Sequence, residues 1–475
     1  MSVEALAERL RPVLGAEFVL THPVERHLYA KDAGLRRSEP ALVVLPASTD
    51  EVVAVVRAAA EEGVHVVPRG GGSGLTGGAV PSVPAVVVAL TRMNEIHAVD
   101  AKAAIAWVGP GVINLDLSVA TESVGLHFAP DPSSQSVCTI GGNVANNSGG
   151  PHCLAEGSTV AHVLGLEVVL ADGEVVTVGG AAPDPPGLDL RGVLVGSEGT
   201  LGIVTKALVK LTPNPPDVRT LLMEFDDVRS AAAAVTGIIG AGIVPAALEM
   251  MDRKTLEVLE AYLRIGLPTD AAAVLLCETT GHPAAVEAEA ELCRRVAIEA
   301  GATAVRLAAD DAERATLWRA RKAAFGAVAQ LAPDFYLHDA VVPRTRLPEV
   351  LEAVYEIADR HGLALMNVFH AGDGNLHPIM GFDLAEPGVA EAVFAAGDEI
   401  IDLCLSVGGA LTGEHGIGTE KRDHLPKVLD PISLDAQARL REAFDPDGRL
   451  NPDHLLPAGA RCGEFGRPIP EGAWV

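Results

Sequence analysis

Residues 69–78 read RGGGSGLTGG, six glycines in ten positions, directly after the strand-like run VHVVP. No helix or strand tolerates that density, because each glycine gives up side-chain packing and carries extra backbone entropy that folding must remove. The run is therefore a loop, and without Cβ atoms its backbone N–H groups can crowd around phosphate oxygens. It is neither GxGxxG opening a helix nor GxxxxGK(S/T), so neither a dinucleotide fingerprint nor a P-loop is indicated. The flanking text supplies the frame such a loop needs. ALVVLP from Ala41 reads as a strand, and TDEVVAVVRAAAEEG as a helix opened by Thr49 and Asp50 and closed by Gly63. VHVVP and AVVVAL follow as strands, giving a β-α-β start.

Two more runs of small polar residues follow in the same half: PDPSSQSVCTIGGNVANNSGG from Pro130 to Gly150, and GSEGTLGIVT from Gly196 to Thr205. AIAWV near Ile105, GVLVG before Ser197, and GLEVVLADGEVVTV, a hairpin turning at Asp172-Gly173, read as further strands of a mixed sheet. The pattern breaks at PNPPDVR, so a first domain is expected over 1–215. Long alanine-rich helices then alternate with short strands: RSAAAAVTGIIG, PAAVEAEAELCRRVAIEAG, DDAERATLWRARKAAFGAVAQ and LPEVLEAVYEIADRHG, with AAVLLCE and LALMNVFH between them. That order predicts an α+β second domain over 216–445, with helices laid on an antiparallel sheet. The segment 446–475 is expected to return to the first domain.

With 36 Lys and Arg against 63 Asp and Glu, the net charge of −27 repels phosphate backbones and argues against nucleic acid as a partner. Six scattered cysteines form no CxxC, which removes support for an iron–sulfur cluster, a cysteine-ligated zinc site or a redox dithiol. The start, MSVEALAERLRPVLG, is an amphipathic helix pattern without a basic and apolar leader, so a cytoplasmic location is expected. The uncharged stretch Ser230–Leu248 is made of alanine and glycine with one proline; it reads as a helix running into a strand, not as a transmembrane segment.

Two short strings carry the chemistry of the second half. NVFHAGDGNLHP sets His370 and His377 on either side of a Gly-Asp-Gly-Asn turn, which can aim both imidazoles at one point. GGALTGEHGIGTEK presents Glu414 and His415 in another glycine-flanked loop. Two histidines and a carboxylate with an open position suit Zn²⁺, Mn²⁺ or Fe²⁺. A single histidine in a turn is more often a satisfied hydrogen-bonder, but four such groups in two glycine-rich loops reverse that weighting. Arg319, Arg321 and Lys322 in TLWRARKAAF form a compact positive cluster, and an arginine there can clamp a carboxylate with two hydrogen bonds. For Arg319 and Lys322 a solvated helix face weighs equally.

PRGGGSGLTGG, TIGGNVANNSGG and GSEGTLGIVTK, in that order, resemble the FAD-binding domain of the vanillyl-alcohol-oxidase type, and the second-half strings resemble the C-terminal domain of FAD-linked 2-hydroxyacid dehydrogenases. The resemblance implies an α+β fold: a two-part FAD-binding domain of that type plus an α+β cap domain with an antiparallel sheet. It implies FAD contacts from Arg69, Gly70, Gly71, Gly72, Ser73, Gly74, Thr76 and Gly77. Further contacts are implied from Pro130, Ser136, Thr139, Gly142, Asn143 and Ser148, from Glu198, Gly199 and Ile203, and from Asn375 and Asn451. Ser73 stands where members with covalent flavin carry a histidine, which implies non-covalent FAD. His370, His377 and Glu414 match metal ligands, with zinc or manganese expected. His415 matches the base, and Arg321 in Trp-x-x-Arg matches the substrate-carboxylate arginine.

APDFYLHDAVVPRTRLPEVLE, VFHAGDGNLHPIMGFD and the closing ARCGEFG are similar to the branch formed by FAD-binding subunits of bacterial glycolate oxidases. The implied activity is metal-assisted oxidation of a small D-2-hydroxy acid, glycolate favoured, to the 2-oxo acid. D-lactate dehydrogenase, with a cytochrome or quinone acceptor, is the alternative. A D-2-hydroxyglutarate enzyme fits less well, because Phe325 replaces a polar residue that a distal carboxylate needs and DFYLHDAVVP offers no lysine. Electrons are implied to leave for an external acceptor, through partner subunits carrying iron–sulfur centres and a second flavin domain. Association with a membrane would then come only through such a partner. A catalytically silent FAD-containing scaffold is the non-enzyme alternative, disfavoured because Arg321, His370, His377, Glu414 and His415 are all present.

Overall fold

The computed structural model describes residues 3–182 and 186–457; ARCGEFG, Cys462 and the rest of 458–475 lie outside the described residues. The glycine loop leaves one strand of a small sheet whose strands are β1 (Val19–Leu20), β2 (Leu42–Val44), β3 (His65–Arg69) and β4 (Ala85–Ala89), in the order β1-β2-β4-β3. β2, β4 and β3 run parallel, with β1 antiparallel at the edge. Every residue of β2 and β4 is buried, as expected of unbroken valine and leucine runs covered on both faces. The helix Thr49–Glu62 crosses between β2 and β3 and ends on Gly63 at φ 67°. It is capped one residue before the Thr49–Asp50 start expected from sequence: the Ser48 hydroxyl accepts the Glu51 N–H at 3.2 Å.

A second sheet completes this half. Its region holds β5 (Ile96–Asp100), β6 (Ile105–Val108), β7 (Leu126–His127), β8 (Val163–Val169), β9 (Val175–Gly179), β10 (Ile203–Lys210) and β11 (Thr212–Pro213). The five-stranded order is β5-β6-β10-β8-β9, all antiparallel, while β7 and β11 pair separately. The β8–β9 hairpin turns at Asp172-Gly173, where Gly173 takes φ 79°. GVLVG, expected as a strand, belongs instead to a short helix, Leu190–Leu194. The physical reason is local: the Asp189 carboxylate accepts the Gly192 N–H at 3.2 Å and caps a helical turn before an apolar run of three can extend.

The remaining strands are β12 (Asp217–Phe225), β13 (Ala247–Asp252), β14 (Ala273–Gly281), β15 (Ala302–Leu307), β16 (Asp334–Leu337), β17 (Ala340–Val341), β18 (Ala364–Phe369), β19 (Asn375–Leu376) and β20 (Pro378–Phe382). Seven of them form an antiparallel sheet in the order β15-β12-β14-β13-β18-β20-β16. Helices Val228–Gly240, Pro283–Glu299, Leu347–Arg360 and Val389–Ser406 share one core with it, and helices Arg253–Leu263 and Asp311–Ala327 share another. The uncharged stretch is indeed a helix followed by a strand, and among the described residues no helix is long and apolar enough to cross a membrane.

After the helix Pro431–Phe444 the chain comes back to the first half. The Val66 N–H donates to Arg449 O at 2.9 Å and the Asn451 N–H to Val66 O at 2.7 Å, beside β3 and the root of the glycine loop. The five described cysteines are free thiols.

Candidate functional site

All three glycine-rich segments face one cavity of about 530 Å³, closed on its far side by residues of the seven-stranded sheet and its helices. That volume is ordinary for a small-molecule or cofactor site. The first segment contributes Arg69, Gly70, Gly71, Gly72, Ser73 and Gly74, the second Ser136, Thr139, Gly142, Asn143 and Ser148, and the third Glu198, Gly199 and Ile203. Glycine is required where the first two segments touch. A Cβ on Gly71 would lie 2.4 Å from the Val137 carbonyl oxygen, and one on Gly70 2.4 Å from Thr139 Oγ1. At Gly78, which also lines the cavity, no protein atom lies within 4 Å of a Cβ position, so the space beside that backbone is free for a bound group. Bare backbone on one side and open space on the other make a cradle that fits an extended diphosphate cofactor.

Five residues expected to touch the cofactor do not line this cavity. The Thr76 hydroxyl faces the His415 carbonyl (3.4 Å), the Gly77 carbonyl lies 2.9 Å from His454 Nε2, and the Pro130 carbonyl accepts from Asn114 Nδ2 at 2.9 Å. Asn451 Nδ2 donates to the carbonyls of Gly78 and Glu198, at 2.9 and 2.7 Å. Asn375 closes the turn after His370 and faces a separate cavity of about 250 Å³. Their polar groups tie the loops together, which a sequence pattern does not separate from touching what the loops hold.

The other wall is built by two turns. β18 delivers His370 and β20 begins directly after His377; the turn between them closes on a bridge from His370 to Asn375. Glu414 and His415 sit on the loop after the helix Val389–Ser406. Glu414 Oε1 lies 3.2 Å from His370 Nε2 and 3.3 Å from His377 Nε2, with the two imidazoles edge-to-face at 5.1 Å. His377 Nε2 is buried without a hydrogen-bond partner. The three donor atoms lie within 4.8 Å of one another, and a cation would satisfy that orphaned nitrogen, so the residues present fit a metal. A second trio, Asp339, His377 and His415, is equally compact. Asp339, however, already accepts the backbone N–H groups of Gly413 (2.9 Å) and His415 (3.0 Å) and the Thr412 hydroxyl, with Lys421 Nζ at 3.5 Å. It is the anchor of the Glu414–His415 loop, most of its bonds falling on Oδ2.

Electrostatics differ sharply between these neighbours. Burial works against a charge on Glu414, but His370 and the other imidazoles outweigh it and hold the carboxyl down at about 2. For His415 burial dominates, against the raising pull of Asp339 and Glu414 and with help from the positive charge of Lys421, and its pKa falls to about 4. His415 is thus an unprotonated imidazole at neutral pH, stacked on His377 (5.0 Å, 7°) and lining the cleft. Its carbonyl accepts from Asn146 Nδ2 of the second glycine-rich run at 2.9 Å.

The helix Asp311–Ala327 presents Arg321, Lys322 and Phe325 to the same cleft, while Arg319 points to solvent. Arg321 is 3% exposed, and its Nε donates to Glu249 Oε2 at 2.7 Å. Lys322 Nζ is held by Asp131 at 3.1 Å, across from the first half.

Comparison with known proteins agrees with this geometry. Residues 40–179 match a FAD binding domain and residues 214–455 match the C-terminal domain of FAD linked oxidases. The chain belongs to the FAD-linked oxidase family. It is 45% identical over 430 residues to glycolate oxidase subunit GlcD of Escherichia coli K12, covering 90% of this chain and 86% of that one. It is 41% identical to the GlcD subunit of Bacillus subtilis 168, covering 97% and 98%. A D-lactate dehydrogenase of Archaeoglobus fulgidus is 32% identical, covering 89% and 92%. Among solved structures, 4-ethylphenol oxidase from Gulosibacter chungangensis superposes with a TM-score of 0.81 at 20% identity, covering 97% of this chain and 99% of that one. The vanillyl-alcohol-oxidase-type fold with its α+β cap is therefore that of this chain, its cofactor is FAD, and it is an oxidoreductase.

In this FAD-linked oxidase two acids, Glu249 and Asp339, escaped the sequence reading, and a third, Glu198, was expected only as a cofactor contact. Glu249 sits on the wholly buried strand β13; burial opposes its charge, yet Arg321 and His370 hold its pKa below the usual carboxylate range. Asp339 follows β16 and holds the Glu414–His415 loop. Glu198 accepts the N–H groups of Ile417 and Gly418 at 2.7 and 2.8 Å, joining the third glycine-rich segment to that loop. Burial pushes its pKa up to about 7, against the pull of those two N–H groups. It takes φ 52°, which costs a non-glycine residue about 1–2 kcal/mol. An acid enclosed by apolar residues, as in ALEMM, was the available signal for Glu249, since a buried charge must be paired.

Proposed function

We propose that this FAD-linked oxidase oxidises small D-2-hydroxy acids, glycolate first, to their 2-oxo acids, with FAD held without a covalent bond and electrons leaving for an external acceptor. The carrying observation is that Arg321, His377, Glu414 and His415 line the same cleft as the glycine segments. His370, His377 and Glu414 would hold the divalent cation, Zn²⁺ or Mn²⁺, and Ser73 offers the flavin no nucleophile. When bound, FAD supplies a two-electron acceptor for hydride and the cation supplies Lewis-acid polarisation of the α-hydroxyl.

The chain's own residues do the rest. Arg321 binds the substrate carboxylate through guanidinium donors and so fixes which face of Cα is presented. His415, unprotonated because it is buried, takes the hydroxyl proton as the C–H bond is broken. The alcohol loses one proton and one hydride, and the carbonyl is the product. Phe325, Leu337, Val368 and Ile379 give the cleft an apolar side. A methyl group is welcome there and a second carboxylate is not, so D-lactate is the second reading and D-2-hydroxyglutarate the least favoured.

Two relatives are by name subunits of glycolate oxidase. Partner subunits with iron–sulfur centres and a second flavin domain suit a chain whose cysteines stand apart, and a cytoplasmic protein would meet a membrane only through such an acceptor.

The test is anaerobic. FAD-loaded protein is mixed with glycolate or D-lactate, flavin absorbance is followed, and the experiment is repeated after chelation and after returning Zn²⁺ or Mn²⁺. The expected result is bleaching that chelation abolishes and metal restores, faster with glycolate. His415→Ala should keep its flavin and bleach about 10²–10⁴-fold more slowly. A yellow protein that neither acid bleaches overturns the reading.

A further inference from the structure

Glu249 lies in none of the glycine segments or histidine strings, yet it touches both Arg321 and His370, which themselves face each other at 3.5 Å. It is fully buried on β13, at the centre of the seven-stranded sheet. Its Oε2 takes Arg321 Nε at 2.7 Å and Nη2 at 2.5 Å, and its two oxygens lie 2.8 and 2.9 Å from His370 Nδ1. A carboxylate in such a place is costly unless every oxygen is used, and here both are.

The contacts have two directional consequences. With Nδ1 facing a carboxylate, the His370 ring is fixed in the tautomer and orientation that turns Nε2 toward Glu414 and His377. With Nε and Nη2 of Arg321 engaged on one edge, Nη1 is left for the cleft that Arg321 lines. One side chain therefore sets the aim of both.

We propose that Glu249 is a positioning residue that aligns Arg321 for the substrate carboxylate and His370 for the cation, and so keeps the two binding points in register. This rests on the hydroxy-acid reading above for its substrate half and on the ligand set for its metal half. A bond to Arg321 or to His370 alone would set one binding point; Glu249 sets the spacing between the two.

The test uses FAD-loaded protein and Glu249→Gln, which keeps the shape and removes the charge. Flavin content and Tm serve as controls for the fold. Zn²⁺ affinity, measured by chelator competition, should fall about 10–100-fold. At saturating Zn²⁺ kcat should recover while KM for the hydroxy acid stays raised by about tenfold or more, the split expected when arginine has lost its alignment. Wild-type Zn²⁺ affinity and KM in a folded Glu249→Gln overturn the proposal. If that variant loses flavin or fold, the wild-type protein decides: a downfield imidazole N–H signal, absent from His370→Gln, is expected for a Nδ1 proton held against a carboxylate. Its absence in wild type overturns the proposal. Failure of the hydroxy-acid reading shows differently, as a wild-type flavin that no acid reduces while the Zn²⁺ difference between wild type and Glu249→Gln persists.

Discussion

Arg321 divides its guanidinium between a buried acid and an open cleft, and only an arginine can do both. A lysine at this position keeps the charge but offers one compact ammonium in place of a planar fork. Arg321→Lys should therefore hold to Glu249 and lose its grip on the substrate, at about 1.5–3 kcal/mol for one charge-assisted hydrogen bond. KM for the hydroxy acid is expected to rise about 10–100-fold, with flavin content unchanged. Steady-state kinetics at saturating metal check this, and an unchanged KM removes Arg321 from carboxylate binding. Arg321 was singled out because its Trp-x-x-Arg setting resembles the family's substrate-carboxylate arginine, and His370, His377, Glu414 and His415 because they crowd into two glycine-flanked strings. Lys322 was read as evenly balanced between solvent and function; the structure gives it to Asp131, a partner 191 positions away. Glu249 and Asp339 stayed hidden because their roles lie in what they touch, and neither stands in a string of its own.

At the scale of elements, the elements that were legible are those whose signal is periodic and long. The helices Pro283–Glu299 and Leu347–Arg360 and the β8–β9 hairpin fall where the text places them. GVLVG misled because a run of three apolar residues between glycines suits a strand or a buried helical turn equally, and Asp189 decided it from outside the run. The glycine segments were legible as loops, but their mutual contact is not a sequence property. Gly71 packs backbone to backbone on Val137, where a methyl group would meet a carbonyl oxygen at 2.4 Å and neither chain has a flexible end to yield. Gly71→Ala should thus push the first two segments apart at about 1–3 kcal/mol. Lower Tm together with faster loss of flavin on gel filtration is expected. A variant that retains flavin as wild type does would show that this contact does not shape the cradle.

The two halves of the molecule meet in a charged network that reaches the cleft through Lys322. His152, from the first half, stacks on Trp318 of the cap at 5.3 Å and lies 3.0 Å from Asp131 and 3.6 Å from Glu278. Glu278 on β14 also takes Arg314 through both oxygens, at 2.8 Å each, and Trp318 Nε1 at 2.6 Å, while Lys322 reaches across to Asp131. Burial alone would keep the His152 ring neutral, but Asp131 and Glu278 reverse that and push its pKa up to about 10. The unfolded chain releases this proton near the ordinary histidine value of about 6.5, so between there and 10 the folded protein binds more protons. Stability from the pair is therefore fully present below that window and is lost as pH rises through it. In His152→Gln, which keeps a hydrogen-bonding side chain and cannot ionise, the contribution is missing at every pH. The Tm of FAD-loaded wild type should fall more steeply from pH 7 to 10 than that of the variant, the two curves converging at the alkaline end. Parallel curves would mean that His152 carries no charge across the interface.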